Sequence, residues 1–142
     1  MGRMIYNGNF LTQVGRGDLA AWWAFNSGGV RPPVGGKVHM HHMTSFFRPK
    51  GEEKNLEYGA EVPMLVVGYQ VTDELGVVVV ECETASKNEI KHITMFTAKG
   101  VSPAKSNQVL EEIGWIPGDP FPLQSVTGYF NGKEVVTSAP SE

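Results

Sequence analysis

The stretch EVPMLVVGYQVTDELGVVVVECETASKNEIKHITMFTA, residues 61–98, decides the fold class. It contains three segments rich in β-branched and aromatic residues, Glu61–Thr72, Val77–Ala85 and Glu89–Ala98. Short polar connections separate these segments, and connections of that length commonly join antiparallel strands as hairpins. The stretch therefore predicts a three-stranded antiparallel meander.

Two helices are predicted outside the meander. Residues 103–113 form the clearer one, because Ser102 suits the N-cap and Pro103 suits the first helical position, where its missing N–H costs nothing. Residues 18–25 are expected to form a short N-terminal helix of about two turns, with Asp18 as its N-cap. A buried strand of the same length is the alternative for this second segment.

The remaining segments predict further strands and turns. The Asn-Gly pairs within Met4–Phe10 and at Asn131-Gly132 each indicate a hairpin. Lys37–Arg48 is expected to form one strand, and the proline-rich Trp115–Pro122 to form a loop or a sheet edge. The fold class is therefore α+β and mostly antiparallel β, either a curved sheet or a small β-barrel. Residues 1–142 are expected to be a single domain with a mobile tail at about 138–142.

Composition restricts the class of protein. The chain has 142 residues, of which 41% are hydrophobic, enough to build a core without disulfides. Cys82 is the only cysteine, so no intrachain disulfide forms, and this favours a cytoplasmic location. No apolar run is long enough to span a bilayer, so membrane insertion is not expected. The net charge is +5 over residues 1–50 and −7 over residues 51–90, which is compatible with one anion-binding face or with charges that pair across strands.

The segment KVHMHHMTSFF, residues 37–47, holds three of the four histidines. In an unbroken strand His39 and His41 point to the same face, from which both imidazoles can reach one divalent metal ion. His92, on the third meander strand, is the best candidate for a third ligand. The alternative is that these histidines are exposed or hydrogen-bonded residues of ordinary strands.

The segment GRGDLAAWW, residues 15–23, suggests a ligand site of another kind. Arg16 precedes the expected helix start and suits a phosphate or carboxylate, and Arg31 and Arg48 are further candidate anion contacts. Trp22 and Trp23 are adjacent, so one is expected in the core. The other, together with Phe47, is a candidate stacking surface for a flat ring.

Three functions from different classes are consistent with these residues. The first is a small-molecule-binding barrel that holds an anionic, nucleotide-like ligand through arginines and aromatic rings. The second is a barrel that binds single-stranded nucleic acid, and the third is a metal-dependent enzyme that uses His39, His41 and His92. Self-association into a homo-oligomer is also expected, because exposed strand edges are commonly protected by pairing with a second copy.

Overall fold

Six antiparallel strands close into a β-barrel in the computed structural model, which describes residues 3–140. Two α-helices and two very short strands accompany the barrel, which confirms the mostly antiparallel α+β class. In chain order the elements are β1 (Tyr6–Leu11), α1 (Gln13–Ser27), β2 (Lys37–Val38), β3 (His42–Phe47), a 3-10 turn (Gly51–Lys54), β4 (Glu61–Val71), β5 (Leu75–Glu81), β6 (His92–Thr97), α2 (Lys105–Ile113), β7 (Ile116–Phe130) and β8 (Val135–Val136).

The strand order around the barrel is β1-β3-β6-β5-β4-β7. The long strand β7 closes it, because β7 pairs with β4 over its first part and with β1 from Ser125, opposite Leu11, to Phe130, opposite Tyr6. Strands β4, β5 and β6 are antiparallel neighbours, so the predicted meander is confirmed. The predicted hairpin at Asn131-Gly132 is confirmed as well, since β8 pairs with the end of β7.

The two helices occupy different places on the barrel. Leu19, Trp22 and Trp23 of α1 belong to the same hydrophobic cluster as the inward-facing residues of the strands, so α1 closes one end of the barrel. Helix α2 packs on the outside, where Val109 and Leu110 meet the outward-facing apolar residues of β5. No helix within residues 3–140 has the length and apolar character needed to cross a membrane.

The Asn7-Gly8 pair does not form the predicted hairpin, and that prediction is wrong. It lies inside β1, at a β-bulge in the pairing with β3. A Cβ atom on Gly8 would lie 2.0 Å from the carbonyl oxygen of Met43, so only glycine lets the two strands approach this closely. The glycine therefore serves a close backbone contact inside a strand and not a turn.

The N-terminal helix is longer than the predicted two turns and begins earlier. It spans Gln13–Ser27, and its N-cap is Thr12, whose hydroxyl accepts a hydrogen bond from the backbone N–H of Gly15 at 3.0 Å. Asp18 is therefore an interior residue of the helix and not its cap. The glycines at 15 and 17, which weaken a helix in isolation, are tolerated because α1 packs on the barrel.

Lys37–Arg48 is two strands and not one. The chain bends at Met40, which has a positive φ of 51°, and regular strand geometry resumes at His42. The backbone N–H groups of His39 and Met40 still donate to β6 across the bend, at 2.8 and 3.0 Å. The proline-rich segment Trp115–Pro122 forms a sheet edge, which was one of its two predicted alternatives. From Ile116 to Pro122 it is the first half of β7 and pairs with β4 alone. A proline there loses no inter-strand hydrogen bond when its nitrogen faces the unpaired side.

Candidate anion-binding cleft

A cleft of about 970 Å³ lies at the barrel end opposite α1. It is located where β1 begins and β3 ends, and residues from the N-terminal segment, the loop between β3 and β4, and the C-terminal segment line it. Its volume falls in the range of small-molecule sites. The lining residues are Arg3, Met4, Ile5, Arg48, Pro49, Lys50, Lys54, Asn55, Leu56, Glu57, Tyr58, Ala139 and Pro140.

Arg48 is held in the cleft by its backbone. Its N–H donates to the carbonyl of Ile5 at 2.7 Å, and its φ of 50° turns the chain sharply after β3. The guanidinium carbon lies 5.4 Å from the ring centroid of Phe47, a distance at which a cation and an aromatic ring attract. The side chain itself is exposed, so its donors can reach a ligand.

The loop that carries Lys50 and Lys54 is anchored to the barrel. The amide nitrogen of Asn7, on β1, donates to the carbonyl of Glu53 at 2.8 Å and to the Tyr58 hydroxyl at 3.2 Å. The same hydroxyl donates to the carbonyl of Lys54 at 2.6 Å. These bonds fix the loop backbone, so both lysines project from a defined position at the cleft.

The residues that line the cleft carry more positive than negative charge. Four of its lining residues are basic, Arg3, Arg48, Lys50 and Lys54, whereas Glu57 alone is acidic. Among residues 3–140 the one ion pair is Lys105–Glu74, which lies elsewhere, so none of the four cations is neutralised by a carboxylate of the described chain. Unpaired cations around a concave surface attract anions and raise their local concentration.

Tyr58 forms part of the cleft wall next to this charge. Burial raises the pKa of its phenol, while the hydrogen bond from Asn7 works in the opposite direction. The phenol is therefore neutral at physiological pH and keeps its proton. That proton is engaged with the Lys54 carbonyl, so Tyr58 supports the loop.

The predicted arginines are not brought together. Arg48 lines the cleft, but Arg16 lies on α1, where its Nε donates to the carbonyl of Met40 at 3.1 Å, before β3 begins. The length of β3 thus separates Arg16 from Arg48. Arg31 is exposed in the loop between α1 and β2. One of the three predicted anion contacts therefore belongs to the cleft.

Both tryptophans are in the core, so the prediction that only one of them would be buried is wrong. Each is 6% exposed, and each indole N–H is satisfied: Trp22 donates to the carbonyl of Asp119 at 2.6 Å and Trp23 to that of Val30 at 2.8 Å. The helix packs both rings around Tyr69 across the end of the barrel. Phe47, by contrast, is 63% exposed beside Arg48 and offers an open aromatic surface.

The four histidines lie near one another. The residue at their centre is His42, which is not one of the three predicted metal ligands. His39 and His41 do not share a strand face, because the bend at Met40 interrupts the alternation. The Nδ1 atoms of His41 and His42 are 3.2 Å apart, and His92 Nδ1 contacts the carbonyl of Ile90 at 2.7 Å. His39 Nε2 contacts the Thr97 hydroxyl at 3.0 Å.

Within residues 3–140 no three His, Cys, Asp or Glu side chains are arranged to hold a metal ion.

The histidines of this cluster are held neutral. Burial, followed by the neighbouring histidines, lowers the pKa of His42 to about 3. Burial also lowers the pKa of His39, with Lys37 adding to the effect, and the pKa of His41, with Arg16 adding to it. A neutral imidazole is one requirement for a metal ligand, but the arrangement described here supplies pairs and not a set of three.

Three basic residues of the cleft and its anchoring asparagine are absent from the sequence-based prediction. Lys50 and Lys54 carry a recognisable signal, since with Arg48 they place three cations within seven positions of a turn-forming segment. Arg3 carries none, because only the pairing of β1 with β3 brings the N-terminal segment beside that loop. Asn7 belongs to an Asn-Gly pair with the composition of a turn, and this pattern gives no sign of its contacts with the loop.

No protein-family model matches this chain, and no curated protein matches it in sequence.

Proposed function

We propose that this protein binds a small anionic ligand, of nucleotide-like size, in the basic cleft at the open end of its barrel. The observation that carries the proposal is the set of four cations, Arg3, Arg48, Lys50 and Lys54, which surround one cleft without a paired carboxylate among the described residues. The closed barrel is a scaffold compatible with ligand binding.

The composition of the cleft favours a ligand with both a charged and an apolar part. Met4, Ile5 and Leu56 contribute apolar surface beside the cations, and Phe47 adds an exposed ring next to Arg48. A phosphate or carboxylate pairs with the guanidinium through two parallel hydrogen bonds, while a flat ring packs on the apolar side. Nucleoside phosphates combine these two features. We expect a cytoplasmic metabolite of this class.

The direct test is isothermal titration calorimetry of the intact chain with AMP, ADP and inorganic phosphate. Arg48→Ala removes a charge-assisted contact worth roughly 1.5–3 kcal/mol, so we expect the Kd of the ligand that binds to rise by about 10–100-fold. Arg31→Ala is the matched control, because it removes the same charge from an exposed loop away from the cleft. Equal losses in both variants, or an unchanged Kd in Arg48→Ala, would show that the cleft is not the site.

A single-stranded nucleic acid is the second candidate ligand, and one observation favours it. Phe47 is 63% exposed next to Arg48, and a ring beside a cation is the arrangement on which unpaired bases stack. Binding of a labelled oligonucleotide, followed by fluorescence anisotropy, should then weaken steeply with added salt and weaken further in Phe47→Ala. A complex that is absent or insensitive to salt removes this candidate.

A further inference from the structure

A group of polar side chains lies inside the barrel, apart from the basic cleft. Asn9, on the inward face of β1, is 0% exposed, and Ser45, on the inward face of β3, is 1% exposed. Ser45 lies two residues beyond Met43, the register partner of Asn9, and therefore faces the same interior. Ser125 of β7 and Cys82, just after β5, complete the group through contacts with Asn9.

The hydrogen bonds of this group fix the orientation of the Asn9 amide. The Ser125 hydroxyl donates its single proton to the carbonyl of Val62. It can therefore only accept from Asn9, so the Asn9 nitrogen faces Ser125 at 3.3 Å and also lies 3.3 Å from the Cys82 sulfur. The amide oxygen must point the other way, where no described residue donates to it.

Two buried polar atoms in this interior thus have no partner among residues 3–140: the Asn9 amide oxygen and the Ser45 hydroxyl oxygen. Leaving a buried polar atom unpaired is costly, and most such atoms in folded proteins are satisfied by protein groups or by ordered water. Both atoms accept hydrogen bonds, and the Ser45 hydroxyl can also donate one. A guest that satisfies them must therefore carry an O–H or N–H donor.

The barrel limits the size of that guest. An eight-stranded barrel is just wide enough to be filled by side chains or to hold one small ligand, and this barrel has six strands. Large apolar residues fill much of the rest of the interior. Cys82 also lines a surface depression of about 370 Å³, together with Met64 and Leu65, so this residue is common to the depression and to the polar group.

We propose that the barrel interior contains a binding site for a small uncharged hydrogen-bond donor, formed by Asn9 and Ser45 beside Cys82. The donor is either an ordered water molecule or the hydroxyl or amide group of a small organic molecule. This site is independent of the basic cleft, because it uses different residues and takes an uncharged group.

The test compares thermal unfolding of three serine-to-alanine variants of the intact chain. Ser45→Ala lowers Tm if a guest holds the hydroxyl, because the variant leaves that guest without a partner. Ser86→Ala is the positive control, since its hydroxyl donates to the Thr44 carbonyl at 2.8 Å. Ser138→Ala, at an exposed position, is the neutral control. We expect Ser45→Ala to lower Tm by an amount similar to Ser86→Ala, and a Tm at or above that of the wild type overturns the proposal.

Two measurements on the wild-type protein determine whether the donor is a water molecule or an organic molecule. Native mass spectrometry gives a mass above that of the denatured chain if the guest is an organic molecule. A bare mass together with nuclear Overhauser effects from water to the Asn9 side-chain amide protons identifies an ordered water. A wild-type protein with a bare mass and no such effects overturns the proposal, whatever the variants do.

Discussion

His42 makes the stability of the fold depend on pH in a direction that the structure determines. Its imidazole stacks on Tyr6 with the ring centroids 4.5 Å apart, lies beside Phe10, and has His41 and His92 as neighbours. Burial and these neighbours place its pKa at about 3 in the folded protein, against 6.5 in an unfolded chain. The unfolded state therefore binds one more proton than the folded state between these two values.

The sign and size of the effect follow from proton linkage. Because the folded pKa is lowered, the stabilisation is complete above pH 6.5 and is lost as the pH falls towards 3. Between pH 7 and pH 5 this imidazole becomes protonated in the unfolded state, which lowers the free energy of unfolding by about 2 kcal/mol. The folded state takes up almost no proton at His42 in that interval, so it offsets almost none of the loss. His39, His41 and His92 have pKa values lowered in the same direction and add to the loss.

The assay is urea denaturation of the wild type and of His42→Gln at pH 7 and pH 5. Glutamine is polar and does not titrate, so the variant should lose about 2 kcal/mol less than the wild type over this interval, even if it is less stable at both pH values. Cys82→Ser is a control that leaves all four histidines in place and should show the wild-type pH dependence. If the wild type and His42→Gln lose the same free energy between the two pH values, the burial of a neutral His42 is refuted.

Two further predictions concern the fold itself and are measured by the same denaturation assay at pH 7. Gly8→Ala should destabilise the barrel by about 3 kcal/mol, because its methyl group would lie 2.0 Å from the Met43 carbonyl oxygen. Gly17→Ala, in open space within α1, should be neutral or stabilise by up to about 1 kcal/mol, and similar effects at both positions would contradict the close approach of β1 and β3. Leu110→Ala should cost about 2–4 kcal/mol because this side chain, 2% exposed, joins α2 to β5, whereas Glu111→Ala on the exposed face should cost little, and a small loss in Leu110→Ala would mean that α2 is not firmly packed.

The local elements that the sequence predicts well are those whose signals depend on neighbouring residues. The meander of β4, β5 and β6 was predicted because its strands are adjacent in the chain and have short connections. Helix α2 begins at Lys105, two residues after the predicted start, and ends at Ile113 as predicted. The turn at Asn131-Gly132 was predicted for the same reason, since its two strands meet directly across it.

The errors occur where a distant part of the chain decides the local conformation. Asn7-Gly8 has the composition of a turn, but the approach of β3 makes it part of a strand. Trp22 and Trp23 are both buried because α1 lies across the barrel end. The side of the helix that carries Leu19 contacts the interior, and so do the positions of both tryptophans. A helix resting on a flat surface would bury only one of the two.

The candidate site shows the same division. Arg48 was predicted from its sequence position, and it lines the cleft. Arg16 and Arg31 were predicted on the same grounds, but neither lines the cleft. The prediction of self-association depended on exposed strand edges, and closure of the barrel removes many of them. Edges without a strand partner remain among residues 3–140 at β2, at β8, in the first half of β7, at residues 61–64 of β4 and at residues 44–47 of β3. Self-association therefore stays a prediction.

The pairing of β1 with β7 has a consequence for synthesis on the ribosome. Tyr6 lies opposite Phe130, so the strand pairing that closes the barrel joins residues that are more than 120 positions apart in the chain. Such long-range pairing gives the fold a high contact order, which slows folding. Until β7 has left the exit tunnel, β1 has only β3 beside it and β4 only β5. Each nascent chain must therefore pass through an open ribbon with two unpaired edges, and during that interval it is most exposed to aggregation and most in need of chaperones.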